Sequence, residues 1–362
     1  MQALFDRYPA GTTFCFQPGI HVLKTHVIPK SYDSLIGLPG ATLTGLDIYQ
    51  GGIRGYGGSI GQHDVTVRGF VIEHFLNDWA VGPRAPVHAG WNWTIENNEI
   101  RHNDRAGLVL GNGTIARDNY IHHNGQLGIN GGPVSGVLIE GNQIAYNNTD
   151  SHDVNVHAGG AKIVGSTAGS WDLVWRSNWV HHNTGNGLWM DYNVHNVTFD
   201  DNLVEDNTAI GIFYEVSWDG VIRYNVVRNN ASMYAGKSCY WGAQIHVNNS
   251  HAVEIYGNTV RSSDGTNGIC AVDIDRSSTT VAPTQVTDLH VHDNEVRMRL
   301  AATTGLVGRP ASYGTTANNR FVNNTYYVGT TASRQWAWST YPVAWSSWKD
   351  FGNDIRGTML TW

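Results

Sequence analysis

Two short phrases carry acidic side chains in matching places: GLWMDYN, with Asp191, and GIFYEVS, with Glu215. Each opens at a glycine, Gly187 or Gly211, with the acid at the fourth residue after it. Two further phrases align on a glycine in the same way: GGAKIVG, with Lys162, and GAQIHVN, with Gln244 and His246. Read as equivalent strands in successive turns of a repeat, they sort by alternation into two faces. Ala161/Ile163, Leu188/Met190, Ile212/Tyr214 and Ala243/Ile245 point inward. Lys162/Val164, Trp189/Asp191, Phe213/Glu215 and Gln244/His246 point outward. Paired strands lie ~4.8 Å apart. Lys162, Asp191, Glu215 and His246 are therefore expected in one outward patch, walled by Trp189 and Phe213.

Two acids stacked at that spacing repel, so one should hold its proton to higher pH. One ionised and one protonated carboxyl is the pair that glycoside hydrolysis uses. Lys162, one turn before Asp191, should keep Asp191 ionised as nucleophile. Glu215, farther from Lys162, takes the proton as acid/base. Equivalent places on adjacent strands also suit the ~5–5.5 Å carboxyl separation of a retaining mechanism, not the ~6.5–9.5 Å that admits a water. Extra residues fall at 148–159 and 230–241, one turn before and one turn after the pair, as if to wall a cleft. Long loops often carry binding groups. Candidate substrate contacts are thus Trp189, Phe213, His246, Gln244, His152, Asp153, His157, Tyr240 and Trp241, with Tyr234 and Lys237 on the same loops.

What must hold these residues in place is a repeat. The pattern apolar-x-apolar, polar, Asn, x, apolar, polar, Asn recurs at Asn98, Asn119, Asn142, Asn178, Asn202, Asn225, Asn258, Asn294 and Asn319. The base period is about half the ~40–45 residues of a propeller blade. Each unit holds short alternating strands and cannot bury its apolar face alone, so coils must stack into a solenoid. Asn suits a left-handed turn, and its amide can bond to the Asn of the next coil. The reading is all-β: one solenoid domain of about a dozen coils over 11–330. Residues 1–10 form a short helical cap and 331–362 a cap rich in tryptophan, with Trp345 and Trp348 on one helix face and Trp336 and Trp338 before them.

The repeat resembles the right-handed parallel β-helix of pectate-lyase-like proteins, a fold that hosts lyases, glycosidases, epimerases and phage spikes. GLWMDYN followed a coil later by GIFYEVS is similar to the motifs of β-helix glycoside hydrolases, including a β-xylosidase family. That resemblance implies Asp191 as nucleophile and Glu215 as acid/base. Members of that family also carry an inserted β-sandwich, for which this chain has no room.

Composition narrows the partners. The chain has 362 residues, net charge −7 and only five lysines, which speaks against nucleic acid, whose affinity comes from cationic contacts to phosphate. No run of 18 apolar residues suggests a membrane span. A secreted monomer, its leader removed, with a carbohydrate substrate and no cofactor is expected. The runner-up is a polysaccharide lyase, with Lys162 as base toward a uronate and the acids holding Ca²⁺. A non-catalytic glycan-binding or phage-spike solenoid is the third class. His122/His123 and His181/His182 read as turn histidines before metal ligands. Asp273 and Asp275 could extend the groove, and Cys239 and Cys270, about one coil apart, could pair or remain thiols.

Overall fold

The computed structural model describes residues 1–55, 61–76, 85–276, 284–313, 315–330, 334–339 and 341–361. The chain visits three sheets in rotation, so that every third strand is hydrogen-bonded to its equivalent in the next coil. The sheets hold 12, 13 and 13 strands, and the ladders are parallel apart from a short antiparallel pairing at Trp336 and Val343. This is the expected single right-handed parallel β-helix of about a dozen coils.

Alternation works as expected in the interior. Ile100, Ile121, Ile144, Val180, Val204 and Val227 repeat at one place of successive coils, each fully buried. The two asparagines of each repeat flank the short strand of the second sheet and build two ladders. One runs Asn98, Asn119, Asn142, Asn178, Asn202, Asn225, Asn258, Asn294, Asn324 and ends on Asp354, each side-chain NH₂ donating to the next Oδ1 at 2.9–3.1 Å. The other runs Asn103, Asn124, Asn147, Asn183, Asn207 and Asn230 and ends on Gln244. In the last copy it is Asn324, not Asn319, that continues the first ladder. Asn319 instead accepts from the Leu289 N–H and donates to the Val286 and Ser312 carbonyls.

Both ends are closed by aromatic side chains. Helix α1 (Gln2–Arg7) buries Phe5 against Phe14 of the first coil, ring centroids 4.2 Å apart. Helix α2 (Trp345–Asp350) inserts Trp348 between Phe321 and Trp338, and its indole N–H donates to Asp354. Trp336, fully buried, meets Trp345 at 4.9 Å. These tryptophans cover the last coil, as expected of a cap. Among the described residues, no helix is long and apolar enough to cross a membrane.

Each rung bonds in three directions, which makes it a stability determinant. Asn202 accepts from the N–H and NH₂ of Asn178 and donates to the Trp175 carbonyl and Asn225. Asn202→Ala leaves those buried groups without partners and should cost about 2–3 kcal/mol in urea unfolding. A loss below about 0.5 kcal/mol, the scale of neutral surface changes, would show that the ladder does not carry the stacking.

Candidate active site

Five neighbouring strands of the third sheet carry the region: β1 (Gly159–Val164), β2 (Asn186–Asp191), β3 (Ile212–Glu215), β4 (Ala243–Asn248) and β5 (Asn267–Asp273), with β2 and β3 as the floor of the cavity. A glycine before each acid allows close stacking, since a Cβ on Gly187 would lie 2.5 Å from the Gly211 oxygen. Two outward rows result. One is Lys162, Trp189, Phe213, His246; the other is Val164, Asp191, Glu215, Asn248. Asp191 and Glu215 are therefore register partners, as expected.

The β4 frame differs from the sequence reading by two residues. Gln244, not Gly242, occupies the glycine place, pairing against Gly211. Its side chain is fully buried, accepting from Asn230 and donating to the Asn230 carbonyl and Thr266. It ends an asparagine ladder and is not a substrate contact. The inserted loop before β4 displaces the glycine, and the longer Gln side chain completes the rung. His246 consequently falls beside Phe213, and Asn248 beside Glu215. His246 is on the outward face but not open to solvent, because Trp241 covers it edge-on at 5.4 Å.

Lys162 is held from three sides. Its ammonium pairs with Asp191 Oδ2 at 2.8 Å, donates to the Val156 carbonyl and lies 3.3 Å from the Trp189 ring centroid. Trp189 stacks on Phe213 at 5.3 Å, and its indole N–H donates to Glu215 Oε2 at 3.1 Å. The other Glu215 oxygen accepts from Arg276 at 2.5 Å. The two carboxyls sit in unequal surroundings: the Asp191 side chain is 22% exposed, that of Glu215 8%. Burial, and then the charge of Asp191, push the Glu215 pKa up; Arg276 and Lys162 oppose this without cancelling it.

The two inserted loops meet above the floor. The Tyr234 hydroxyl donates to Asn155 Oδ1 at 2.7 Å, joining one loop to the other. Tyr234 and Trp241 pack on Trp189, Phe213 and Ile210, a small apolar cluster outside the solenoid. Cys239 and Cys270 form a disulfide that ties the second loop to β5. The cavity between the two loops is about 330 Å³, lined by Val154, Asn155, Asn186, Trp189, Asp191, Phe213, Glu215, Tyr234, Trp241 and Arg276.

Four other loop candidates do not line it. His152 hydrogen-bonds to Arg105 at 3.1 Å. Asp153 accepts from the backbone and side chain of Asn155 and so shapes its own turn. The His157 carbonyl accepts from Gln126, and Tyr240 is exposed and not among the lining residues. Asp273 is fully buried and bound by Arg309 and Ser312, so it does not extend the groove, while Asp275 is solvent-exposed and lies 3.9 Å from Arg309. His122 and His181 are buried. His122 bonds to Glu99 one coil back, and burial pushes its pKa down to about 4. His123 and His182 stack through Tyr146.

Arg276, Asn155 and Asn186 were not singled out from sequence. Asn186 directly precedes the GLWMDYN glycine, and its Oδ1 accepts from the Ile210 N–H. Arg276 lies three residues after Asp273, where the chain leaves β5, and AVDIDR was its one visible signal.

Residues 87–260 match the family model described as right handed beta helix region. A search of curated proteins by sequence finds no significant match. Among solved structures, the chain is similar to the A-module of the mannuronan C-5 epimerase AlgE6 of Azotobacter vinelandii. The TM-score is 0.69 at 18% identity, covering 100% of this chain and 94% of that one. It is also similar to the catalytic unit of a thermostable alpha-1,3-glucanase from Streptomyces thermodiastaticus, with TM-score 0.51, 13% identity and coverage of 94% and 64%. XylC in complex with xylose gives TM-score 0.51 and 13% identity, covering 92% of this chain and 54% of that one. At these identities the likeness is one of fold.

The charges around Glu215 make signed predictions. Arg276→Gln and Lys162→Met each remove a cation that favours the ionised carboxylate, so each should move the Glu215 titration to higher pH. Asp191→Asn removes an anion and should move it lower. Carboxyl ¹³C shifts followed against pH read all three. A downward move in either cation variant would show that the groups do not act on Glu215 through charge.

Proposed function

We propose that this protein is a secreted, retaining glycoside hydrolase acting on a polysaccharide or oligosaccharide. The observation that carries the reading is the pairing of Asp191 with Glu215 across adjacent strands in one cavity, one acid beside an ammonium and the other buried with a raised pKa. Asp191 attacks the anomeric carbon while Glu215 gives its proton to the departing glycosidic oxygen. Glu215, now a carboxylate, takes a proton from water as that water's oxygen attacks the anomeric carbon and frees Asp191. The Trp189 indole N–H and the Arg276 guanidinium are aimed at the Glu215 carboxylate that forms in the first step. Lys162, paired with Asp191 Oδ2, orients the nucleophile for attack.

The fold neighbours support a carbohydrate-acting enzyme, since an epimerase, a glucanase and a xylose complex stand among them. Xylosides and α-1,3-glucans are accordingly the first substrates to test. The disulfide supports an oxidising, extracellular location. No cofactor is needed for this chemistry.

A second reading, proton abstraction from a uronate polymer, is favoured by Arg276, a cation in the cavity wall suited to a uronate carboxylate, and by the likeness to AlgE6. Lys162 counts against it as the base, being ion-paired, covered by Trp189 and bonded to Val156.

A product screen separates these readings. Hydrolysis yields reducing ends without new ultraviolet absorbance, elimination yields a conjugated C=C, and a binding protein yields neither. The proposed mechanism requires the first product to keep its anomeric configuration in ¹H NMR. Asp191→Ala should abolish turnover. Glu215→Ala should lose about 10²–10⁴-fold on poor leaving groups, the range of general acid catalysis, while keeping activated aryl glycosides and responding to azide. An inverted first product would exclude Asp191 as nucleophile.

A further inference from the structure

The outward face of β4 carries two polar side chains that the mechanism above does not use. His246 and Asn248 are each 0% exposed. Among the described residues, neither ring nitrogen of His246 and neither polar atom of the Asn248 amide has a hydrogen-bond partner. This is unusual, because buried side-chain polar atoms are nearly always paired and an exception asks for a functional reason. On the same face, Glu215 one strand earlier and Lys162 three strands earlier are buried too, yet both are bonded. The two unpaired residues follow Phe213 and Glu215 directly in register, one strand farther along the axis.

We infer that His246 and Asn248 form the polar floor of a second sugar subsite, adjoining the cavity that holds the scissile bond, with His246 covered by Trp241. This deepens the carbohydrate reading and rests on it. The lid is identified by geometry: Trp241 lines the cavity, meets Phe213 edge-on at 5.6 Å and lies against His246 at 5.4 Å. Gly242 follows it at φ +80°, a left-handed conformation open to glycine. Turning the indole away from His246 would join the floor of β4 to the existing cavity and leave the ring as a side wall. Sugar rings pack well on such a surface, apolar in its body with a polar N–H at its edge.

The floor chooses the ligand class. Burial pushes the His246 pKa down to about 3, so the ring is neutral and offers one N–H donor and one bare nitrogen acceptor. Asn248 offers an NH₂ and a carbonyl oxygen. Two uncharged groups, each able to donate and accept, match the hydroxyls of a neutral sugar, which do the same. A uronate or sulfated residue would find no cation on this strand's outward row.

The test uses full-length protein in a Glu215→Gln background, so that bound glycans are not turned over. Neutral oligosaccharides of one to six residues, with xylo- and α-1,3-gluco-series included, are measured by calorimetry against Asn248→Leu, His246→Leu and their parent. The expected result is a rise in Tm in both variants, because unpaired buried groups are removed, with about tenfold weaker binding of di- and larger saccharides, the scale of one lost hydrogen bond or slightly more. Binding of the monosaccharide should be unchanged. Equal affinity in parent and variants, or a fall in Tm, overturns the subsite, as does a parent that binds none of the panel. Length-dependent binding with no reducing ends released by wild type sinks the hydrolase alone. Hydrolysis with unaltered variants sinks the subsite alone.

Discussion

The amide-to-amide hydrogen bond between asparagines of successive coils is the constraint on which the rest depends. It is short, directional and buried, and it repeats at both edges of the second sheet. A chain bonded in this way cannot slip by one residue between coils, because a slip would break every rung and turn each apolar row outward. Fixed register is what turns a sequence coincidence, two acids each four residues past a glycine, into a pair of carboxyls on neighbouring strands. The site needs no long-range positioning beyond this. Asp191 and Glu215 face each other because Asn178, Asn202 and Asn225 are stacked on the opposite part of the same coils.

Stacking alone would give two equivalent acids, and the proposed hydrolysis needs them unequal. The asymmetry comes from neighbours along the axis and above it. Lys162 reaches diagonally across one strand to Asp191, passing over the Trp189 ring. Glu215 is roofed by the loops and bonded to an indole N–H, so less water reaches it. Arg276 moderates the result: it lowers the cost of ionising Glu215 without removing the shift. A buried acid with no cation nearby would be too reluctant to give up its proton, and one fully paired would not carry one. The arrangement is intermediate between these extremes.

Local repetition made most of this legible in the sequence. The period, the inward and outward rows, the placement of Lys162, Asp191 and Glu215, and the aromatic caps all follow from alternation within one coil and comparison between coils. Legibility ended where insertions interrupt the period. At β4 the frame was aligned on Gly242, the visible glycine, whereas the strand is set by Gln244 completing an asparagine ladder from Asn230. No composition rule reveals that a Gln will serve as the last rung of an Asn series. Asn319 and Asn324 present the same difficulty, both lying in one phrase and only the second stacking. Arg276 was missed for a related cause: it stands beyond a strand end, where neither period nor alternation reports direction.

The loops show why insertion and site coincide. A solenoid hides its apolar residues inside, so Trp189 and Phe213 on the outer face are an anomaly that must be covered or used. The second loop supplies Tyr234 and Trp241 to cover them, and is itself held by the Cys239–Cys270 disulfide and the Tyr234–Asn155 hydrogen bond. The resulting cluster lies apart from the solenoid core, so it can rearrange without disturbing the coils beneath. Rigidity and adaptability are thereby divided: the carboxyls stand on strands whose register cannot drift, while the cavity walls stand on loops closed by a few contacts. That division is also why polar groups can remain unpaired on the outward face of β4, since the strand that bears them is stabilised by its neighbours whether or not those groups find partners.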